Sequence, residues 1–311
     1  MTTCKCGCGG TTAKNREFVQ GHDAKHASNL RVQANAGSQE AWAELIRREW
    51  LNWDERTFGV EIEFTEASYK DVLAAMAEVG LQCEFKGYTH EVMSGWKIVT
   101  DSSVSRRYDT QKQIFVGGLE LVSPILRGKN GLRQLYLACG ALKRAGAQVD
   151  KTCGLHVHHG IDDVKPEAVR NVIKAYQKHR KIIDMVMAPS RRACAPEAQK
   201  YADQYNAYEM GIINSITSDT DLRTVAQKLR RFRAINLTSY PKYGTIEFRQ
   251  HQGTLDASKI THWVMFGQGM IWAAKKGRRI IATTVQELAQ VVGVRKDTRE
   301  YLVGRQAVFA S

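Results

Sequence analysis

The hexapeptide Gly59-Val60-Glu61-Ile62-Glu63-Phe64 lies within residues 56–64, a stretch in which apolar side chains recur at every second position. Such alternation predicts a β-strand that buries one face and exposes the other. Glu61 and Glu63 are two residues apart, so both carboxylates would project from the same face, roughly 6.5 Å from each other along the strand. The stretch therefore predicts a strand that presents a pair of acids.

Three further stretches show the same alternation with chemically active side chains on the polar face. In Gly118-Leu-Glu-Leu-Val122 the acid is Glu120, and in Leu155-His-Val-His158 two imidazoles share a face. In Thr245-Ile-Glu-Phe-Arg249 a glutamate and an arginine share a face. An ordinary solvent-facing sheet surface would carry lysine, threonine or serine at such positions. The four stretches together predict one sheet face that collects functional groups.

Helical periodicity separates these stretches and sets the fold class. Ser68-x-x-Asp71 resembles a capping box that begins a helix ending at Gly80. Several connections between predicted strands are short, which favours an α+β fold with a largely antiparallel sheet and helices on one face. The other predicted strands are residues 96–101, 114–123, 154–160, 234–239 and 243–251, and the other predicted helices are residues 130–145, 165–187, 220–231 and 256–275.

Composition restricts the class of protein. The chain has 311 residues, of which 43% are hydrophobic and 25% charged, as in ordinary globular proteins. It contains no apolar run of about 18 residues, so no membrane association is expected. The start of the sequence lacks an apolar signal core, which predicts a cytoplasmic location. Lysine and arginine outnumber the acids by 13, so anionic partners are favoured, including nucleotides.

Crowded carboxylates are costly unless a cation lies among them. Oxygen ligands suit Mg²⁺ or Mn²⁺, which bind a few carboxylates and leave coordination positions for substrate phosphates. An arginine beside such a cluster can hold a phosphate through two parallel hydrogen bonds. The residue types on the predicted sheet face therefore point to phosphoryl transfer, where positioning and charge neutralisation dominate.

The four stretches, in this order, resemble the motifs of the amidoligase family over roughly residues 56–275. The motifs are GVEIEF at residues 59–64, GLELVSP at 118–124, CGLHVH at 153–158 and GTIEFR at 244–249. That family is similar to the catalytic fold of glutamine synthetase and glutamate–cysteine ligase. The resemblance implies an enzyme that activates a carboxylate with ATP as an acyl phosphate and then lets an amine displace phosphate to form an amide.

The resemblance also implies roles for individual residues. Glu61, Glu63 and Glu247 match the acidic metal ligands of the first and last strands. Glu120 matches a carboxylate that binds metal or positions the amine. The implied ligand set for Mg²⁺ or Mn²⁺ is therefore four glutamates from three strands.

Other matching residues imply contacts with nucleotide and phosphate. His156 resembles the histidine near metal and phosphates, and Arg249 the arginine that neutralises charge during transfer. Asp101 and Ser103 resemble an Asp-x-Ser segment between the first two acidic strands, and Asn236 is placed in the nucleotide or substrate pocket. Three histidines rank below His156 as substrate contacts: His158, His159 and His251.

The first residues have no counterpart in the well-known ligases. Cys4, Cys6 and Cys8, with His22 or His26, supply four soft ligands of the kind that bind a structural Zn²⁺. The spacing is not that of a standard Cys-x₂-Cys knuckle, and a reduced, flexible tail is the alternative. The predicted organisation is a Cys/His-rich segment 1–27, a linker and helix 28–55, a catalytic domain 56–278 and a helical extension 279–311. Residues 28–37 form the linker and 38–53 the helix of the second segment.

Two other functions remain open from the sequence. A zinc-dependent hydrolase would use His156 and His158 as a metal pair, but it gives no role to the paired acids. A basic nucleic-acid-binding protein would explain the charge, but interleaved aromatic residues of a stacking platform are missing. The ligase hypothesis predicts carboxylate and amine substrates, which are small molecules or peptides, and leaves the oligomeric state open.

Overall fold

The structure is a computed structural model that describes residues 2–35, 38, 40, 41, 44, 45 and 56–310. The chain divides into two compact units, Met1–Trp53 and Asp54–Ser311. The predicted segment boundaries at residues 27, 55 and 278 stay predictions. Among the described residues, no helix has both the length and the apolar character needed to cross a membrane.

The N-terminal unit begins with a small loop closed by an isolated antiparallel bridge between Thr3 and Thr11. Helix α1 follows at His22–Asn35. The stretch predicted as a polar linker, residues 28–37, is helical as far as Asn35, because no helix breaker occurs before Gly37. The predicted helix at residues 38–53 lies largely outside the described residues.

In the second unit, seven of the described strands form one sheet in the order β2-β3-β6-β1-β7-β9-β8. All neighbouring pairs are antiparallel except β2 and β3, which run parallel. Strands β4 and β5 form a separate two-stranded ribbon. The bounds are β1 Phe58–Phe64, β2 Cys83–Gly87, β3 Trp96–Thr100, β4 Arg106–Asp109, β5 Ile114–Gly117, β6 Leu119–Val122, β7 Gly154–Gly160, β8 Ile235–Asn236 and β9 Thr245–Gln252.

Helices cover the apolar face of the sheet, as predicted for an α+β fold. The long helix α10 packs on β7 and also contacts α3 and α4. Val60 and Ile62 of β1 are completely or almost completely buried on this side. The helices of this unit are α2 Tyr69–Glu78, α3 Gly128–Arg144, α4 Pro166–Lys178, α5 Arg180–Asp184, α6 Pro196–Tyr201, α7 Ala207–Asn214, α8 Asp219–Lys228, α9 Tyr240–Tyr243, α10 Ala257–Lys275, α11 Val285–Val291 and α12 Lys296–Ala310.

Local capping fixes the starts of two helices. The Ser68 side chain accepts a hydrogen bond from the Asp71 N–H at the start of α2, as predicted. Thr284 and Glu287 form a reciprocal capping box at the start of α11. The chain is interrupted at Gly293, and the 15-residue helix α12 follows.

Two predicted elements are divided in the structure. The strand predicted at residues 114–123 is two strands, because Gly117 and Gly118 both adopt positive φ angles of 72° and 64°. A side chain at Gly117 would lie 2.5 Å from the Ser105 carbonyl oxygen, so only glycine fits this corner. The helix predicted at residues 165–187 ends at Lys178, and a short second helix follows His179.

Candidate active site on the open face of the sheet

Cross-strand register brings the predicted site residues of five strands together. Glu63 of β1 lies opposite Glu120 of β6, and Glu61 lies opposite His156 of β7. Farther along, His158 lies opposite Glu247 of β9, which in turn faces Asn236 of β8. Residues directly opposite on neighbouring strands point to the same side of a sheet. These side chains therefore form one cluster on the face away from the helices.

A β-bulge in β9 places the arginine. Val157 pairs with Phe248 and Leu155 pairs with His251, so two β9 residues lie opposite His156 alone. Of these two, Arg249 lines the open face, whereas Gln250 is completely buried and accepts a hydrogen bond from the Tyr176 hydroxyl at 2.7 Å. The bulge thus presents Arg249 to the cluster and anchors its neighbour in the core.

Glu61 lies at the centre of the cluster, between two imidazoles. Its Oε2 is 3.0 Å from His156 Nδ1 and its Oε1 is 3.2 Å from His158 Nε2. His158 Nδ1 is also 3.0 Å from the Thr245 hydroxyl. Burial would raise the pKa of Glu61, yet the facing His158 and His156 hold this pKa well below its usual range. Glu61 is therefore an anion with one histidine within hydrogen-bonding distance of each of its oxygens.

Glu247 is held by two donors in the interior of the site. The Asn236 amide donates to Oε2 at 2.7 Å, and Arg249 Nη1 donates to Oε1 at 2.5 Å. All three residues are at least 96% buried. Burial raises the pKa of Glu247, but Arg249 and His158 outweigh that effect and lower it. Glu247 and Glu61 in turn raise the pKa of His158 against the effect of its burial. The carboxylate and the guanidinium are thus fixed relative to each other.

Glu63 is oriented by the backbone of the neighbouring strand. The Gly154 N–H donates to its Oε2 at 2.5 Å, and its Oε1 is 3.6 Å from His156 Nε2. A Cβ at position 154 would lie 3.1 Å from His156 Nε2 and 3.4 Å from Glu63 Oε2. Glycine at this position leaves the room that the carboxylate and imidazole occupy.

Glu120 differs from the other three acids because one of its oxygens, Oε1, is buried without a hydrogen-bond partner. Burial, followed by repulsion from Glu61 and Glu63, raises the pKa of Glu120 well above its usual range. A buried polar atom without a partner requires an explanation. A hard cation beside Glu120 would supply the missing contact and relieve the repulsion.

Ligand atoms that lie within 4.8 Å of one another form two groups here: Glu61, Glu120 and His156 in one, and Glu61, His158 and Glu247 in the other. Glu61 belongs to both. Oxygen atoms predominate in each group, as Mg²⁺ and Mn²⁺ prefer. The residues present therefore fit a hard divalent cation.

The cluster forms the floor of a cleft of about 1150 Å³. Ser103 and Asp101 line it, and Asp101 Oδ1 accepts hydrogen bonds from the Ser103 N–H at 2.7 Å and the Ser103 hydroxyl at 2.6 Å. This pair forms a self-contained turn at the end of β3. The sequence placed both residues near the acidic strands, and the structure puts them at the edge of the same cleft.

Several basic residues of the cleft were missed by sequence reasoning. Lys97 is 94% buried, it donates to the Glu91 carbonyl oxygen at 2.5 Å, and burial lowers its pKa. A lysine inside the apolar stretch 96–99 was the available signal. The other basic side chains of the cleft come from segments without strand periodicity, so no pattern marked them: Arg191, Lys200, Arg231 and Lys242.

Two lower-ranked histidines do not reach the cleft. His159 is completely buried on the helix side, where it lies edge-on to Phe248. His251 packs against Trp263, with 5.4 Å between the ring centroids. The prediction that these two contact substrate was wrong, because strand alternation and the bulge turn both toward the core.

In the N-terminal unit, the sulfur atoms of Cys4, Cys6 and Cys8 and one nitrogen of His22 all lie within 4.8 Å of one another. The structure thus brings together the thiols predicted as zinc ligands. Of the two histidines considered, the one that joins the group is His22.

Comparison with known protein families gives one match. The family model described as "Putative amidoligase enzyme" matches residues 54–271. This range covers more than two thirds of the chain and contains all four strand motifs of the cleft. A search of the curated proteins gives no match.

Proposed function

The chain belongs to the amidoligase family, and we propose that it is an ATP- and Mg²⁺-dependent carboxylate–amine ligase. Family membership indicates a ligase-type enzyme. The observation that carries the finer assignment is the sheet face on which four glutamates, two histidines and one arginine converge. The reaction is formation of an amide or peptide bond through an acyl phosphate.

Four acids would hold the metal in this proposal: Glu61, Glu63, Glu120 and Glu247. When bound there, Mg²⁺ or Mn²⁺ would supply charge neutralisation for the triphosphate of ATP. Because Glu120 has an unpartnered oxygen and Glu61 belongs to both ligand groups, these two are its principal ligands.

Arg249 and the basic side chains of the cleft would bind the phosphates. The substrate carboxylate attacks the γ-phosphorus, and the bond from that phosphorus to the bridging oxygen of ADP breaks. Arg249 is held by Glu247, so its guanidinium does not need to reorganise when negative charge develops on the transferred group. Lys97 lies on the same floor and adds a second fixed cation.

The amine then attacks the acyl carbon, the bond from carbon to the phosphate oxygen breaks, and the amine nitrogen loses a proton. Glu120 lies beside Glu63 on the cleft floor and would position this amine.

The zinc hydrolase alternative is less well supported by the geometry. His156 and His158 contact different oxygens of Glu61, and they belong to separate groups of possible metal ligands. A two-histidine zinc site needs both ring nitrogens directed at one point. The hydrolase also leaves Glu247, Asn236 and Arg249 without a role.

A screen of nucleotide turnover tests the proposal. Purified protein is incubated with ATP and Mg²⁺ and with pools of amino acids and short peptides that supply both carboxylates and amines. We expect ADP and phosphate to be released together only when a matching pair is present, and an amide product to appear by mass spectrometry. Release of ADP without any amide product across all pools would overturn the ligase assignment.

Glu247→Gln provides the matched variant, since it keeps the shape of the side chain and removes the anion that holds Arg249. Loss of one preorganised charge partner lowers turnover on the order of 10²-fold. The control is Glu300→Gln, on α12, where the glutamate side chain is 60% exposed. A folded Glu247→Gln protein with the turnover of this control would contradict the assigned role.

A further inference from the structure

Few apolar side chains are buried among residues 2–35, the first described part of the N-terminal unit, whereas Ala41 and Leu45 are buried farther along it. Among residues 2–35, where the structure describes side chains, the buried residues are Cys4, Cys6, Thr12, Ala27 and Leu30. Two of these five carry thiols. Segments this short are usually stabilised by a disulfide or a metal ion. All three cysteines of this segment are free thiols and are therefore available as metal ligands.

We propose that Cys4, Cys6, Cys8 and His22 hold one structural Zn²⁺, a site separate from the catalytic cleft. The four ligand atoms lie close enough to surround a single ion. The proposal concerns the fold of this unit and is independent of the proposed ligase function.

Distances between the ligand atoms match a tetrahedral site. Zn–S bonds of about 2.3 Å imply S–S separations of about 3.8 Å around a tetrahedron, and mixed S–N separations slightly shorter. The Cys4 and Cys6 sulfurs are 3.4 Å apart. His22 Nδ1 is 3.3 Å from the Cys6 sulfur, 3.2 Å from that of Cys8 and 3.9 Å from that of Cys4. Small movements of a few tenths of an ångström would admit the ion at the centre.

Backbone N–H groups already point at two of the sulfurs. The Val19 N–H donates to the Cys4 sulfur at 3.4 Å, and the Gly10 N–H donates to the Cys8 sulfur at 3.4 Å. Hydrogen bonds of this kind favour the charged form of an acceptor, here the thiolate that binds metal. They supply an outer shell for the site, which orients the ligands.

The loop that carries the cysteines is shaped for this purpose. The Cys4 N–H donates to the Gly10 carbonyl oxygen at 2.8 Å, which closes the turn around the three thiols. Gly7 and Gly9 adopt positive φ angles of 78° and 74°, and they reverse the chain between ligands. His22 is the first residue of α1, so the ion would tie this loop to the helix.

Ligand chemistry selects the metal. Thiolates favour Zn²⁺ over abundant hard cations, and three sulfurs with one imidazole are a common structural zinc set. All four positions would be filled by protein side chains, which leaves none for substrate or activated water. The site is therefore structural.

Zinc content of the full-length protein tests the proposal. Protein is dialysed to remove loosely bound metal, and zinc is measured by inductively coupled plasma mass spectrometry. We expect about one equivalent per chain, as for a closed four-ligand site, and a fall to near zero in Cys6→Ser and in His22→Asn. The matched controls are Cys194→Ser and His26→Asn, which change the same residue types outside the group and should keep the metal.

Cobalt substitution supplies a measurement on the site itself. Co²⁺ bound by three thiolates in a tetrahedron gives strong visible absorption, which should be present in wild type and both controls and lost in Cys6→Ser. Zinc that survives both Cys6→Ser and His22→Asn but is lost in His158→Gln would place the metal in the cleft and overturn the proposal. Protein that contains no zinc, or that contains iron with sulfide, would overturn it as well.

Discussion

The cleft and the N-terminal segment each gather at least four side chains suited to a metal, but they do so in opposite ways. The cleft ligands are spread from Glu61 to Glu247 over strands of one sheet, and register brings them together. The N-terminal ligands lie between Cys4 and His22, in a loop and the start of one helix. The first set is rich in oxygen and the second in sulfur.

This difference bears on whether each of the two regions needs a metal ion in order to fold. The sheet buries its apolar face under helices that include α10, and α3 and α4 pack on α10, so we expect the cleft to form without a bound cation. The stability gained from packing the core then outweighs the electrostatic repulsion among the acids of the cleft. Residues 2–35 bury few apolar side chains where the structure describes them, so their fold would depend on the ion. In the cleft the fold positions the ligands, whereas in the N-terminal segment the metal would stabilise the fold.

The largest expected effect is on catalysis. Glu61→Gln removes the carboxylate shared by both ligand groups while it keeps the size of the side chain. We expect ATP turnover to fall on the order of 10²-fold or more, because a preorganised charge in the cleft is lost. Unfolding temperature should change little, since Glu61 lies on the open face. Coupled ADP release and thermal denaturation measure the two quantities.

The control for that experiment is Glu78→Gln, at the end of α2, where the side chain is 68% exposed. Equal turnover in Glu61→Gln and in this control would show that the acids are only a solvated face. The cleft would then not be a catalytic metal site.

The next effect concerns folding of the N-terminal unit. Removal of zinc with a strong chelator should increase hydrogen exchange of α1 and of the loop around Cys6 by about tenfold or more, because local stability falls with loss of the ion. Exchange in β1 and β9 should stay the same. Hydrogen–deuterium exchange with mass spectrometry reads both regions in one sample. Equal protection of the N-terminal unit with and without metal would show that its fold is independent of the ion.

A third effect concerns nucleotide binding. ATP carries several negative charges into a cleft with four glutamates, so we expect its affinity to rise about tenfold or more when Mg²⁺ is present, which corresponds to about 1.4 kcal/mol. Isothermal titration calorimetry with and without Mg²⁺ measures the change, and Cys6→Ser should show the same dependence. Metal-independent ATP binding would argue against an oxygen-ligand cation site.

The smallest effect tests whether ion pairs hold the sheet without metal. Arg56 donates to both oxygens of Asp163 at 2.5 and 3.0 Å, and Lys275 also contacts this carboxylate. Arg56 and, to a smaller extent, Lys275 together lower the pKa of Asp163 to about 2 against the opposing effect of burial. The side chain is 51% exposed, so solvent screening limits its contribution to about 1 kcal/mol or less.

The sign of its pH dependence follows from the lowered pKa. The contribution is complete above the ordinary aspartate pKa of 3.8 and is lost as pH falls toward about 2. Asp163→Asn should therefore lower the unfolding temperature by roughly 2–4 °C or less at pH 7, and the difference should shrink below pH 4. Thermal melts from pH 7 to pH 3 measure it, and a difference that grows in acid would contradict the assignment.

Alternation predicted the part of the cleft that depends on local sequence. The strands with Glu61, Glu120, His156 and Glu247 were identified because a period of two is visible within five to seven residues. Register could not be predicted in this way, since the pairing of Glu63 with Glu120 depends on contacts distant in sequence. The basic residues Arg191 and Lys200 reach the cleft through tertiary packing, so no local pattern shows them.

Local rules also failed where one residue changes the geometry. Gly117, at the end of β5, and Gly118, after it, divide a stretch that the alternation predicts as one strand, because both adopt positive φ. His159 follows two cleft residues in sequence, but alternation turns it into the core. For His251 the cause is the bulge, which no periodicity indicates. The N-terminal thiols were easier to interpret, since ligands that are close in sequence depend less on the rest of the fold.

The bulge in β9 has a consequence for how this strand tolerates change. Before the bulge, residues with odd numbers such as Glu247 and Arg249 face the cleft. After it, the odd-numbered His251 faces the core, because the extra residue Gln250 shifts the alternation by one position. Deletion of Gln250 alone would restore a regular strand and keep Glu247 and Arg249 on the cleft side, at the cost of the bond from Tyr176. Deletion between Glu247 and Arg249 would instead send one of them into the core. Length variation among related chains should therefore concentrate at this one position of the strand.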